Sequence, residues 1–240
     1  MAQRPFSITT WVTLFLAQCD SSFSRINSCK KEPQTINWLR SFVKEGDVFY
    51  DVGANTGSYS FVAASLVHNI KVFSFEPVPG TFMELCENIK LNNLDSVVFP
   101  MNIALSDKDG ITDFKLSNFQ AGAAMHVGIS DKKMITHVDS AVFSYPIITK
   151  TIKSIVDEFG IPFPNLMKID VDGPEFNIIQ GAEQILKRND FRTLQVEFDI
   201  VNQPVDEIIS FLKECNLTLY KKNQHHNPNI SDYVFIKHTA

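Results

Sequence analysis

The run Asp51-Val52-Gly53-Ala54-Asn55-Thr56-Gly57 brings together residue types suited to a small-molecule site. Glycines at 53 and 57 allow backbone conformations and a close ligand approach that a Cβ would obstruct. A pyrophosphate binder would carry G-x-G-x-x-G or a Walker-type lysine here, and the run has neither. Asp51 would place a carboxylate in the mouth of the site, which repels phosphate and suits a sulfonium or ammonium ligand. Glu76 ends a second apolar run, where an acid can accept the hydroxyl protons of a ribose, as it also does in NAD-binding domains. The plainer reading of the loop is a glycine turn capped by Asp51.

A second group is acidic. Asp170, Asp172 and Glu175 follow the apolar run from Leu166, and Glu197 and Asp199 end the run from Thr193. Adjacent parallel strands would bring both sets to the sheet edge that carries the first loop. A hydroxyl is a weak nucleophile, and a carboxylate base or a divalent metal would help to deprotonate it. Asp170, Glu175 and Glu197 are the catalytic candidates. Oxygen-only ligands suit Mg²⁺ or Ca²⁺, with Asp170, Glu197 and Asp199 as the set that could hold the ion. Against these stand structural roles. Asp172 and Glu175 could cap the next helix, Asp199 could be a surface residue, and Lys168 could pair with Asp170 on one face of the strand. His126 and His137 are candidate bases or simply solvated loop residues, and His225-His226 beside Asn227-Pro228 reads as a turn.

These residues need a frame. From Asp47 onward apolar runs alternate with helix-length amphipathic stretches, the rhythm of a parallel sheet. Strands are expected from Asp47 to Val52, Lys71 to Phe75, Val97 to about Ala104, Leu166 to Asp170 and Thr193 to Phe198. Helices are expected from the first loop to about Val67, Pro79 to about Asn92, Ile152 to Phe159, Glu175 to Lys187 and Val205 to Glu214. Two more strands, Thr218 to Lys222 and Tyr233 to Lys237, flank the turn signal Asn227-Pro228-Asn229 and suggest an antiparallel hairpin. The rhythm breaks between about 105 and 150, read as an insertion of short strands and loop that would cover the site and shape the acceptor pocket. Residues 1–46 form an N-terminal extension, expected to be helical, and 47–240 the main domain, a doubly wound α/β sheet.

Composition narrows the function classes. The 240 residues carry 22 Lys and Arg against 27 Asp and Glu, a net charge of −5, which argues against a polyanion-binding surface and so against nucleic acid. Cys19, Cys29, Cys86 and Cys215 are scattered without a C-x-x-C pair, as free thiols in a reducing compartment would be. The apolar run from Trp11 to Ala17 is too short to span a membrane and poor as a signal peptide, so a cytoplasmic protein is expected. Nothing in the sequence addresses oligomeric state.

Four motifs, taken in order, resemble those of FkbM-type methyltransferases: Asp51-Val-Gly-Ala-Asn-Thr-Gly57, Phe75-Glu-Pro77, Ala104-Leu-Ser-Asp107 and Lys168-Ile-Asp-Val-Asp-Gly-Pro-Glu175. The segment Thr149-Lys-Thr-Ile152 is similar to that family's pattern too, and the resemblance runs from about Asp47 to Asp199. It departs at Asp172, where the family more often has Glu, and at Pro174, where a small residue is usual. The resemblance implies a Rossmann-like class I fold with a mostly parallel seven-stranded sheet. It also implies S-adenosylmethionine as methyl donor and O-methylation of a sugar, glycan or other small-molecule hydroxyl. By the same resemblance Asp51, Gly53 and Gly57 belong to the methionine side of the donor, Glu76 to its ribose, and Asn102, Ala104 and Ser106 lie near its adenine, with Asn55 also among the donor-binding residues. Two other classes stay open: an NAD-dependent oxidoreductase or epimerase, disfavoured by the missing G-x-G-x-x-G, and a non-catalytic donor-binding module. The donor motifs say nothing about the acceptor.

Overall fold

A computed structural model describes residues 32–116, 127–128, 143–225 and 227–238. Helix α1 (Pro33–Phe42) precedes β1 (Val48–Val52), α2 (Ser58–Leu66), β2 (Lys71–Phe75), α3 (Pro79–Leu91) and β3 (Val98–Met101). A second group comprises β4 (Ala104–Leu105), β5 (Gly110–Leu116), β6 (Val127–Gly128) and β7 (Phe143–Lys150). Then come α4 (Ile152–Phe159), β8 (Leu166–Ile169), α5 (Glu175–Gly181), α6 (Glu183–Leu186), β9 (Thr193–Asp199), α7 (Val205–Glu214), β10 (Leu217–Gln224) and β11 (Ile230–Lys237).

The main sheet has seven strands in the order β10-β11-β9-β8-β1-β2-β3. Five are parallel, and β11 runs antiparallel to both β9 and β10, which closes the sheet with the expected hairpin. Alternation along each strand sends side chains to opposite layers. Tyr50, Val52, Met167, Ile169, Val196 and Phe198 pack with Ile155, Ile178 and Leu212 from α4, α5 and α7. Phe49, Val72 and Leu166 pack with Trp38, Phe61 and Leu85 from α1, α2 and α3. The fold is therefore doubly wound. Strand order reverses between β1 and β8, and their carboxyl ends form the topological switch point where ligands of open α/β sheets sit.

Helix α1 is a working part of this core. Trp38 is buried and donates from Nε1 to Thr193 Oγ1 at 3.0 Å, while Gln195 Nε2 donates to Thr35 Oγ1 at 2.7 Å. Two further elements differ from the sequence-based expectation. The third strand stops at Met101, and the chain leaves this sheet edge to make β4 in a separate four-stranded sheet, β4-β7-β5-β6. The helix expected from Glu175 to Lys187 is split after Gly181, the residue that packs onto the Ser106 backbone so closely that a Cβ would lie 2.0 Å from the Ser106 carbonyl oxygen. Among the described residues no helix is long and apolar enough to cross a membrane.

Candidate active site

The loop after β1 turns on Gly53, whose φ is +75°. Its N–H and that of Ala54 both donate to Phe75 O at 3.0 Å, which ties the loop to the end of β2. A Cβ on Gly53 would lie 1.9 Å from the Asp170 carbonyl oxygen, so the loop rests directly on the end of β8. Asn55 takes a left-handed conformation that asparagine tolerates. Its N–H donates to Glu76 Oε2 at 3.0 Å, and Val78 N–H donates to Oε1 at 2.9 Å. Glu76 is thereby fixed across two loops. Asn102 supports this corner from behind, donating to the Glu76 and Pro77 carbonyls at 2.8 and 3.2 Å.

A cleft of about 270 Å³ opens over these ends. Beside Glu76 its walls are apolar, made by Phe75, Ile103, Ala104 and Leu105 together with Phe114 and Ile147 of the second sheet. Tyr145 stands nearby; burial first, then the Glu76 charge, push its hydroxyl up to about 12.

The other end of the cleft is acidic, and strand register explains why. Ser74, Asp51, Lys168 and Gln195 are neighbours across β2, β1, β8 and β9, all on the face toward α1 and α2. Ser60 Oγ donates to Asp51 Oδ2 at 2.6 Å and lies 2.7 Å from Ser74 Oγ. Lys168 donates to Asp170 Oδ2 at 2.7 Å and stands 4.8 Å from the centre of the Tyr59 ring. A lysine with a side chain only 3% exposed is costly unless paired. Burial works against its charge, yet Asp170, Asp51 and Glu32 outweigh that and hold its pKa above the ordinary value. The carboxylates outnumber this one cation. Glu197 lies opposite Asp232 in the β9–β11 register. Burial, then repulsion from Asp170, Asp232 and Glu32, pushes Glu197 up to about 10. Burial and then Asp170 raise Glu32 as well. Glu32 accepts from the Tyr59 hydroxyl and lies 3.8 Å from His225 Nε2. Ligand-type atoms of Glu32, Glu197 and His225 all fall within 4.8 Å of one another.

A seven-stranded sheet, a glycine loop at its switch point, an acid on the second strand and carboxylates on the fourth and fifth parallel strands narrow the chemistry to one fold group. Residues 51–218 match the methyltransferase FkbM domain. The chain belongs to the FkbM methyltransferase family. It is 27% identical over 206 residues to the hexuronic acid methyltransferase AglP of Haloferax volcanii, covering 86% of this chain and 79% of that protein. It is 25% identical over 197 residues to the 31-O-demethyl-FK506 methyltransferase FkbM of Streptomyces tacrolimicus, covering 74% of this chain and 75% of that one. The crystal structure of methyltransferase FkbM from Methylobacillus flagellatus KT shares the fold, with a TM-score of 0.55 at 11% identity. That match covers 95% of this chain and 57% of the other. The chain is an S-adenosylmethionine-dependent methyltransferase.

Within this family member the expected site residues divide sharply. Gly53, Asn55, Glu76, Ala104, Asp170 and Glu197 line the cleft. Asp51 does not: it is fully buried beneath the loop, because the parity of β1 turns it toward α2. Burial raises its pKa against the pull of Lys168. Gly57, Asn102 and Ser106 also lie behind the wall. Gly57 makes room for Phe61 and Leu85, and Ser106 Oγ bonds its neighbour Asp107. Glu175 is 2% exposed and turned inward, accepting from Gly173 N–H at 3.1 Å and from the Gln203 side chain. Asp199 caps its own turn, accepting from Val201 N–H, Asn202 N–H and Asn202 Nδ2, and is not part of the cleft lining. Glu32 and His225 join the cleft without any local sequence signal, the turn reading of His225 notwithstanding. His126, His137 and His226 lie outside the described residues, as does most of the expected insertion. Its described strands wall the Glu76 end of the cleft.

Proposed function

We propose that the chain transfers a methyl group from S-adenosylmethionine to a hydroxyl of a sugar or related small molecule, with the donor along the Gly53–Glu76 side and the acceptor at the acidic end. The observation that carries this reading is the single cleft, which runs from Glu76 through Gly53 to Asp170 and Glu197. The residues fit such a donor. Glu76 offers acceptors to a ribose diol, the apolar wall from Phe75 to Leu105 suits a purine, and Gly53 leaves backbone room. When bound, the sulfonium supplies an electrophilic methyl group. The protein's part is to align the acceptor oxygen for in-line displacement and to take its proton. Asp170, held in place by Lys168, is suited to orient the hydroxyl. Glu197, with its elevated proton affinity, is suited to accept the proton, and its base form grows as pH rises toward about 10. The relatives named for a hexuronic acid and for a demethylated oxygen of FK506 support a hydroxylated acceptor.

The test is transfer of labelled methyl from the donor to a panel of methyl glycosides and glycan extracts. Label retained as an alkali-stable ether is expected, with turnover rising from pH 7 to 9. Glu197→Gln should lower turnover by about 10²–10⁴ and flatten that rise. Full turnover with Glu197→Gln would rule the proton acceptor out. A divalent cation is the second reading, favoured by the proximity of Glu32, Glu197 and His225. The imidazole suits Mn²⁺ or Zn²⁺ better than the Mg²⁺ that an all-oxygen set would take. Activity lost to EDTA and restored by metal would establish it.

A further inference from the structure

The cleft holds a charge imbalance that bears on the acceptor. Among the described residues that line it are five carboxylic acids, Glu32, Glu76, Asp170, Asp172 and Glu197, and no lysine or arginine. His225 is the one basic side chain in this lining, 3.8 Å from Glu32, and Lys168, below the wall, is engaged by Asp170 at 2.7 Å. Behind Glu197 stands another buried acid, Asp232, whose carboxyl accepts from Gln34 Nε2 at 2.8 Å. Arg192 pairs with Asp47, and Lys150 with Asp109 and Glu158.

Hydrogen-bond inventory points the same way as charge. An ionised carboxylate only accepts, so the groups it can hold are hydroxyls and ammoniums, which donate. A ligand carboxylate or phosphate beside Glu32 and Asp170 would set acceptor against acceptor and like charge against like charge, a juxtaposition that protein interfaces use to reject wrong partners. An ammonium would do the reverse, donating to the same oxygens and meeting opposite charge.

We propose that the acceptor carries no negative charge beside the reacting hydroxyl and is an amino sugar or neutral sugar, with Glu32 and Asp170 selecting against uronates and sugar phosphates. This rests on methyl transfer at the same cleft, and it separates the chain from the relative named for a hexuronic acid.

The test is competition in the full-length protein between the methyl glycosides of glucosamine, glucose and glucuronic acid, with labelled donor. The expected order of kcat/KM is glucosaminide at or above glucoside, and both at least about 100-fold above glucuronide. Glu32→Gln should narrow the glucosaminide-to-glucuronide ratio by about tenfold, since one charge is removed while the shape is kept. Saturation-transfer NMR with the S-adenosylhomocysteine-loaded protein reads the same order without turnover. A glucuronide that binds or reacts as well as the other two overturns the inference, as does a ratio unmoved by Glu32→Gln, or failure of all three to bind. Failure to bind S-adenosylhomocysteine at all would instead sink the reading of the cleft as a methyl-transfer site.

Discussion

Replacing Glu175 by Gln should stabilise the protein at neutral pH and leave methyl transfer intact. Glu175 opens α5 with its carboxyl 2% exposed, and burial lifts its pKa from 4.5 to about 8 despite the hydrogen bonds it accepts from Gly173 and Gln203. The folded protein therefore keeps a proton that the unfolded chain releases. The resulting stability is fully present below the unfolded value, falls as pH rises, and is lost once pH passes about 8. One proton is worth about 1.4 kcal/mol per pH unit inside that window, so between pH 5 and 7 the wild type should lose about 2.5 kcal/mol that the Gln variant does not lose. For a domain of this size that corresponds to about 5–10 °C in Tm. The amide fits the site: its oxygen can accept from Gly173 N–H, and its nitrogen can donate to Gln203 Oε1, which is buried with no partner among the described residues. Calorimetric unfolding of both proteins at pH 5, 6, 7 and 8 gives the comparison. Parallel curves would refute the reasoning, because they would mean that the folded carboxyl is ionised. A large loss of turnover in a well-folded variant would return Glu175 to the catalytic set.

Two further substitutions probe the frame. Gly53→Ala should destabilise by at least about 2 kcal/mol and abolish S-adenosylhomocysteine binding in whatever folds, since φ is +75° and the new Cβ would collide with the Asp170 carbonyl; unchanged urea midpoint and affinity would contradict the loop geometry. Trp38→Ala should cost about 3–5 kcal/mol in urea unfolding, because it empties a buried site and strips Thr193 of its donor; a loss under 1 kcal/mol would show that α1 is not part of the core.

Much of this molecule was legible because local signals agreed. Glycines 53 and 57 between an apolar run and an amphipathic one located the switch-point loop, and Glu76 ended its strand as the pattern required. Asp170 at the end of an apolar run needed a partner, and alternation put Lys168 on the same face, the ion pair weighed against a catalytic role. What failed was direction and distance. Asp51 and Glu175 stand in suggestive motifs, but strand parity and the inward start of α5 bury them. The break after Gly181 falls where the chain meets Ser106, far away in sequence, a contact that no periodicity records. Glu32 and His225 reach the cleft only because α1 and the C-terminal hairpin pack beside β9, so neither carried a signal of its own.

The central claim is that the Gly53–Glu76 side of the cleft holds a methyl donor and not a dinucleotide. Isothermal titration of the wild-type protein with S-adenosylhomocysteine and with NAD, repeated on Glu76→Ala, tests it most directly. The account predicts that S-adenosylhomocysteine binds at least about tenfold more tightly than NAD, and that Glu76→Ala weakens it by about 1.5–3 kcal/mol, the worth of a hydrogen bond to a charged acceptor. Tight NAD binding with no heat from S-adenosylhomocysteine would contradict it.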